Sequence, residues 1–325
     1  MGIYVSHNNF KEKLKNKSKV VNTLIKKITK LLHWTISLVL ISMILVACGR
    51  SPSDPTPTQG TTQLPELGEP TVDMTGTDSY ELFDISEDLH VRKIQAGVFI
   101  ITHSFPWPGN SMIVEMRSSD LVLVDTPYTP KATREVLEWI ETQLGEREIT
   151  AINTGFHYDN LGGNSYLLQQ GIPVYGSEST VELLEERGEE MRAMTLDWLQ
   201  APKYQRYYEA HEALEYIAPT HLFELEEGLQ LEFGHESVQI YYPGPSHSPD
   251  NVVVYFPSRR ILFGTCMIIG WDKVGNTSDA DLEAWPESVR DLARFDFDVL
   301  VPGHGDRLDP GLLEHTIDLL TSFQE

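Results

Sequence analysis

From about Val91 the chain switches repeatedly between apolar runs with a period of two and runs with a helical period. Val98-Phe99-Ile100-Ile101-Thr102, Ser111-Met112-Ile113-Val114-Glu115 and Leu121-Val122-Leu123-Val124-Asp125 are β-branched segments divided by turn residues, which predicts three strands. Between Ala132 and Leu144, Val136, Leu137, Ile140 and Leu144 fall on one helical face, and Gly145 supplies a stop. A strand at Ile149–Asn153, a helix beginning near Gly162 and a strand at Ile172–Tyr175 follow. Residues 178–218 read as a long, polar, helix-rich segment holding Trp198 and the cluster Tyr204, Tyr207 and Tyr208. The alternation then restarts, with strands expected near 229–233, 237–242, 251–256 and 260–264, a helix at 279–295, a strand at 297–301 and a last helix from 310. Two successive strand-then-helix halves predict an α/β fold, a four-layer αβ/βα sandwich with helices covering both outer faces of two packed sheets.

The N-terminal pattern is of another kind. A Lys-rich stretch from Lys11 to Lys30 precedes the apolar run Leu38–Ala47, which ends at Cys48. Positive, then apolar, then small residues is the order of a secretory signal. Leu45-Val46-Ala47-Cys48 resembles a bacterial lipobox, in which the Cys becomes the lipidated first residue; the alternative is an uncleaved membrane anchor, since the apolar run from Leu31 approaches spanning length. The Ser51–Thr62 tract, rich in Pro, Ser and Thr, cannot bury a core and reads as a disordered tether. The expected organisation is a lipoprotein signal peptide at 1–47, a tether at 48–79 and a folded domain at 80–325. The protein would then cross the bacterial inner membrane and stay as a periplasmic or cell-surface lipoprotein, touching the membrane only through its lipid.

Charge narrows the partners. The chain carries a formal net charge of −23, but the leader contributes eight Lys and one Glu, so the remaining 17 basic and 47 acidic side chains leave −30. Such a polyanion repels phosphate backbones, which excludes nucleic acid as a partner. A monomer acting on a small molecule is expected. The chain has two cysteines, and with Cys48 assigned to the anchor, Cys266 lacks an intramolecular partner. A lone thiol in an oxidising compartment is a liability unless it is buried or metal-bound.

Five donors suited to zinc sit at predicted strand ends, where a sheet presents functional side chains. These are His157 and Asp159 in Gly155-Phe156-His157-Tyr158-Asp159, His247 in Pro245-Ser246-His247-Ser248, Cys266 in Gly264-Thr265-Cys266, and His304 in Pro302-Gly303-His304-Gly305. The flanking Gly and Pro residues suit tight loops.

In this order the five donors and their surroundings resemble the metallo-β-lactamase superfamily, through the blocks at 153–164, 243–250, 263–266, 275–285 and 301–304. Cys266 points to the class B β-lactamases, since other members usually place a metal-bridging Asp there. The resemblance implies a main zinc site of Asp159, Cys266 and His304. The family pattern His-x-His-x-Asp lacks its first His at Gly155, so the second site keeps only His157 and His247. This is most similar to the mono-zinc, carbapenem-selective subclass, and it implies one tightly held Zn2+, with a second weak or inhibitory. Gly155→His is expected to complete a three-His site provided that the backbone there tolerates a side chain.

By the same resemblance, the reaction is hydrolysis of the β-lactam amide, with His157 or Asp159 as general base. Ile269 stands where such enzymes usually carry a Lys for the substrate carboxylate, and Asn160 where an Arg is common. Lys273 is then the candidate replacement cation and Asn276 a second substrate contact. The hairpin His103–Gly109 corresponds to one that covers the site in relatives. Two other functions stay open: hydrolysis of another ester, lactone or thioester on the same fold, or an inactive zinc-binding lipoprotein.

Overall fold

The computed structural model describes residues 80–324. The expected leader at 1–47 and tether at 48–79, Cys48 among them, lie outside the described residues. Among the described residues, no helix is long and apolar enough to cross a membrane.

The first half of the domain lays down eight strands that pair in chain order: β1 Glu81–Ser86, β2 Leu89–Gln95, β3 Val98–Ser104, β4 Pro108–Glu115, β5 Leu121–Val124, β6 Ile149–Ile152, β7 Val174–Ser177 and β8 His221–Phe223. Neighbours from β1 to β5 are antiparallel and those from β5 to β8 parallel. The change follows from the connections, because short turns join the early strands while helices join the later ones. Helix α1 (Pro130–Leu144) crosses from β5 to β6. Its start is set by Thr129, whose side chain accepts from the Ala132 N–H, and by Pro130 in the first turn; Gly145, at φ 79°, ends it. The short helices α2 (Tyr158–Leu161) and α3 (Asn164–Gln169) lead to β7. The segment from 178 to 212 holds α4 (Glu178–Trp198) and α5 (Gln205–Glu212), in the helix-rich form that its pattern predicted.

The second half forms a five-stranded sheet in the order β13-β12-β11-β10-β9. Its strands are β9 Leu229–Phe233, β10 Glu236–Tyr241, β11 Val253–Phe256, β12 Ile261–Ile269 and β13 Val299–His304, with α6 (Trp285–Asp291) and α7 (Leu312–Gln324) as its helices. Two boundaries depart from the sequence reading. Strand β12 runs five residues past Gly264 and carries Cys266 within it, because parallel pairing with β13 persists that far. The helix expected at 279–295 begins only at Trp285, with Pro286 in its first turn, and the residues between β12 and α6 form a loop along the cavity described below.

Alternation along the strands builds the layers. Val98, Ile100, Val122 and Val124 face Val238, Ile240, Val254 and Phe263 between the two sheets. Their neighbours Phe99, Ile101, Leu121 and Leu123 pack under Val136, Trp139 and Ile140 of α1. On the far side, Leu262 and Leu300 meet Trp285 and Val289 of α6 and Leu312 and Leu320 of α7. The result is helix, sheet, sheet, helix, the expected four-layer sandwich.

The turn between β3 and β4 is fastened to the α4–α5 segment by aromatic contacts. Phe105 lies 5.2 Å from Tyr207 and 4.8 Å from His211, and the His211 Nε2–H donates to the Phe105 carbonyl at 3.2 Å. Trp107 meets Trp198 edge-on at 5.9 Å. Edge-to-face pairs of this kind contribute about 0.5–1.5 kcal/mol each beyond area burial. Burial lowers the His211 pKa to about 4, with Arg192 adding to the effect and the Phe105 carbonyl opposing it. Below about pH 6.5 the unfolded chain binds a proton at this residue that the native state refuses, so stability falls as pH drops from about 6.5 toward 4. Urea denaturation at pH 6.5 and pH 5 should therefore show the stability advantage of wild type over His211→Phe shrinking by about 1.5 kcal/mol at the lower pH. Parallel pH dependence of the two proteins would refute the neutral, buried state.

Candidate metal centre and its cavity

Asp159, Cys266 and His304 are delivered by three different pieces of backbone. Asp159 stands in the first turn of α2, two residues after its N-cap residue His157. Cys266 follows a shift in the β12–β13 register, and the preceding Thr265 takes a left-handed φ of 49°. Such an irregularity re-aims a side chain that regular pleating would turn elsewhere. His304 is the last residue of β13. The two strands close in here because Gly303 has no side chain: a Cβ at that position would lie 2.7 Å from the Cys266 amide nitrogen.

The three donor atoms converge. His304 Nε2 is 3.1 Å from Asp159 Oδ2, Cys266 Sγ is 3.3 Å from the same oxygen, and Sγ and Nε2 are 3.7 Å apart. The edges of a zinc tetrahedron with bonds of about 2.0–2.3 Å run to roughly 3.3–3.8 Å, so the spacing fits. Among the described residues this is the one group of three or more His, Cys, Asp or Glu donors gathered closely enough to hold a metal. The His304 Nδ1–H donates to the Pro108 carbonyl at 2.7 Å, which leaves Nε2 as the lone-pair nitrogen facing the other donors.

The electrostatics agree. Burial alone would raise Asp159, but the hydrogen bond and charge of His304, followed by His157 and His247, hold it far below the ordinary carboxylate range. Burial and the Asp159 carboxylate push the Cys266 thiol well up. A bound dication reverses that preference by stabilising the thiolate.

His157 and His247 lie beside this group with their rings nearly perpendicular and 5.1 Å apart. Burial, reinforced by neighbouring His157, lowers the His247 pKa to about 3 and keeps it neutral. His157 hydrogen-bonds through Nε2 to Asp279 Oδ2 at 3.1 Å, and Asp279 Oδ1 is held by Arg187 of α4 at 3.2 Å. The Nε2–H donates to the carboxylate, so Nδ1 is the basic nitrogen left to His157. Sequence reasoning did not single out Asp279. It lies 122 residues from its partner in an unremarkable Ser278-Asp279-Ala280, and no local pattern announces the pairing.

Beneath the three donors lies a second polar layer. Asp125 is fully buried and accepts from the Thr154 N–H at 2.8 Å, the Thr154 hydroxyl at 2.7 Å and the Asn160 amide at 2.9 Å. The Thr154 and Thr265 hydroxyls meet at 2.6 Å, and the Asn160 amide nitrogen stands 4.0 Å from Cys266 Sγ. The sequence marked Asn160 by what it replaces; the structure shows what it does, tying the helix that carries Asp159 to the strand that carries Cys266.

The donors open on a cavity of about 400 Å³ whose wall includes Lys273 and Asn276. Asn276 Oδ1 accepts from the Ser278 N–H and hydroxyl, so its turn is braced internally while its amide NH2 remains for a ligand. Ile269 also lines the cavity, as does Trp107 from the His103–Gly109 hairpin and Trp198 from α4. Hairpin and helix α4 thus each contribute an indole to the cavity wall.

Gly155 does not meet the condition for a third imidazole. A Cβ there would lie 2.7 Å from the Asn251 amide nitrogen and 3.2 Å from Asn160 Oδ1, both buried. The position faces a packed wall of amides rather than space awaiting a third imidazole. Gly155→His should therefore lower stability by about 1–3 kcal/mol and add no tight metal equivalent. Denaturation together with metal titration checks this; a stable variant that gains a second tight ion would contradict it.

Comparison with known proteins places this geometry. A model described as "Metallo-beta-lactamase superfamily" matches residues 104–304. A Bacillus cereus protein named "Metallo-beta-lactamase type 2" is 32% identical over 217 residues, 66% of this chain and 73% of that protein. A Pseudomonas aeruginosa protein of the same name is 30% identical over 236 residues, 70% of this chain and 83% of the relative. Among solved structures, a metallo-beta-lactamase from Pontibacter korlensis superposes with a TM-score of 0.55 at 30% identity, covering 74% of this chain and 99% of its own.

Proposed function

The chain belongs to the metallo-β-lactamase superfamily, and from that premise we propose that it is a zinc-dependent hydrolase that opens the amide of β-lactams. The observation that carries the reading is the convergence of Asp159, Cys266 and His304 on one wall of a cavity of substrate size. Three protein donors, with a fourth direction open to the cavity, fit a catalytic zinc site rather than a closed structural one. When bound there, zinc supplies Lewis acidity at the scissile amide.

The chain's own groups do the rest. Asp279, braced by Arg187, fixes the His157 ring so that Nδ1 can accept a proton from the attacking water. Asp159 is the other candidate base, but its hydrogen bonds and low proton affinity suit it better to metal binding. His247, neutral and packed between His157 and Trp285, shapes the pocket. Asn276 offers amide donors and Lys273 a cation from the rim.

The expected stoichiometry is one tight zinc per chain, with His157 and His247 as a weak second site, because no third donor joins them among the described residues. This is the arrangement that the sequence resemblance ties to carbapenem selectivity, and we extend that selectivity to the chain. The signal peptide at 1–47, the lipid on Cys48, the tether at 48–79, a periplasmic or cell-surface location and a monomeric state belong to the same reading. A lactone or other ester remains the second substrate reading, because Ile269 offers nothing to a lactam carboxylate.

Purified protein should open a carbapenem faster than a penicillin or a cephalosporin, and slower than none of a panel of lactones. Cys266→Ser should weaken zinc affinity by at least tenfold more than His247→Ala, removing a charged donor from the main set. Zinc competition titrations and the turnover panel check both statements. Turnover of lactones alone would overturn the lactamase reading, and equal losses of affinity in the two variants would overturn the assignment of the main site.

A further inference from the structure

Tyr128 brings a buried phenol to the cavity that holds Asp159, Cys266 and His304. The residue stands between the end of β5 and Thr129, the N-cap of α1, and is only 3% exposed. Its backbone is fixed from several sides. Pro127 precedes it, and Pro130 follows Thr129. Its N–H donates to His103 Nδ1 at 3.1 Å. Gly162 packs on its carbonyl so closely that a Cβ there would lie 2.2 Å from the oxygen. The ring rests 5.4 Å from that of Tyr158 and 5.6 Å from that of His103.

Gly109 makes room for the hydroxyl end. A Cβ at that position would lie 2.7 Å from the Tyr128 hydroxyl oxygen and 2.9 Å from Cζ. The phenol therefore lies against the start of β4, one residue from Pro108, whose carbonyl accepts from His304. Among the described residues the phenol O–H has no hydrogen-bond partner, although the residue lines the cavity and is otherwise buried. Burial raises its pKa above the ordinary phenol range, so the group keeps its proton and can donate. A buried hydroxyl without a partner carries a desolvation cost that a ligand oxygen can remove.

Lys273 and Asn276 reach the cavity from the other half of the domain, on the loop after β12. A lactam whose carboxylate is held by that loop turns the opposite end of its nucleus, the carbon next to the amide carbonyl, toward the wall built by the first sheet. Resting on the lactamase reading above, we propose that Tyr128 is a specificity-determining residue whose phenol O–H donates to an oxygen on the substituent of that carbon, so that the protein selects lactams bearing a hydroxyalkyl group there. The substituent's carbons then lie against the rings of Tyr128 and Tyr158, which line the same cavity.

The probes are two carbapenems that differ only in carrying a hydroxyethyl or an ethyl group at that carbon. Steady-state kinetics of the zinc-loaded protein is one readout. The other is equilibrium binding to metal-stripped protein, followed by intrinsic fluorescence because Trp107, Trp198, Trp271 and Trp285 line the cavity. Wild type should favour the hydroxyethyl compound about tenfold in kcat/KM and in Kd. Tyr128→Phe removes the hydroxyl alone; it should lose about tenfold on the hydroxyethyl compound and stay within about twofold on the ethyl compound. Its zinc affinity should match that of wild type.

No preference in wild type, a preference that survives in Tyr128→Phe, or equal losses on both compounds would overturn the proposal while leaving the hydrolase reading in place. A binding preference that vanishes in Tyr128→Phe, without turnover of either compound by wild type, would uphold the phenol contact and overturn the hydrolase reading. An absence of both binding and turnover would overturn both.

Discussion

The buried carboxylate of Asp125 is the constraint on which the site depends. It sits at the end of β5 with a left-handed φ of 57° and accepts three hydrogen bonds from Thr154 and Asn160. Burial raises its pKa well above the ordinary value, with its hydrogen bonds opposing. Thr154 then reaches Thr265 of the other sheet, and Asn160 reaches toward Cys266. The clasp joins helix α2, which carries Asp159, to strand β12, which carries Cys266, so the separation of the metal donors is set by buried polar contacts rather than by loop length. Losing one partner would leave a buried acceptor unmet, at a cost of about 1–3 kcal/mol.

Above that clasp, each donor has a single available direction. His304 gives Nδ1–H to Pro108 and His157 gives Nε2–H to Asp279, so each ring keeps one nitrogen for chemistry. Because Arg187 holds Asp279, helix α4 both lines the cavity and orients the His157 ring. Any movement of α4 would therefore change the apolar wall and the His157 ring together.

The layers of the sandwich were legible because alternation along Val98–Ile101 and Leu121–Val124 assigns each side chain to one of two cores. The main donor set was legible because each member sits in a short motif rich in Gly or Pro. What escaped was nonlocal. Nothing in the Ser278–Ala280 sequence reports that Asp279 meets a histidine on another loop, and the polar clasp joins residues 29 and 111 positions apart. The segment before α6 carries apolar residues, Ala280 and Leu282, that pack on the outer core as a helix face would, but its backbone runs through turns and becomes continuous helix only at Trp285. The surroundings of Gly155 were hidden for a related reason: the sequence shows a missing ligand but not that Asn251 and Asn160 fill the place.

The central claim is that Asp159, Cys266 and His304 together hold one metal ion. Titration of the metal-stripped protein with Co2+, followed in the near ultraviolet, tests it directly, because a thiolate ligand gives a charge-transfer band that His and carboxylate ligands do not. The account predicts a band that saturates at one equivalent and disappears in Cys266→Ser. A band that keeps growing to two equivalents, or cobalt binding with no thiolate band, would contradict it.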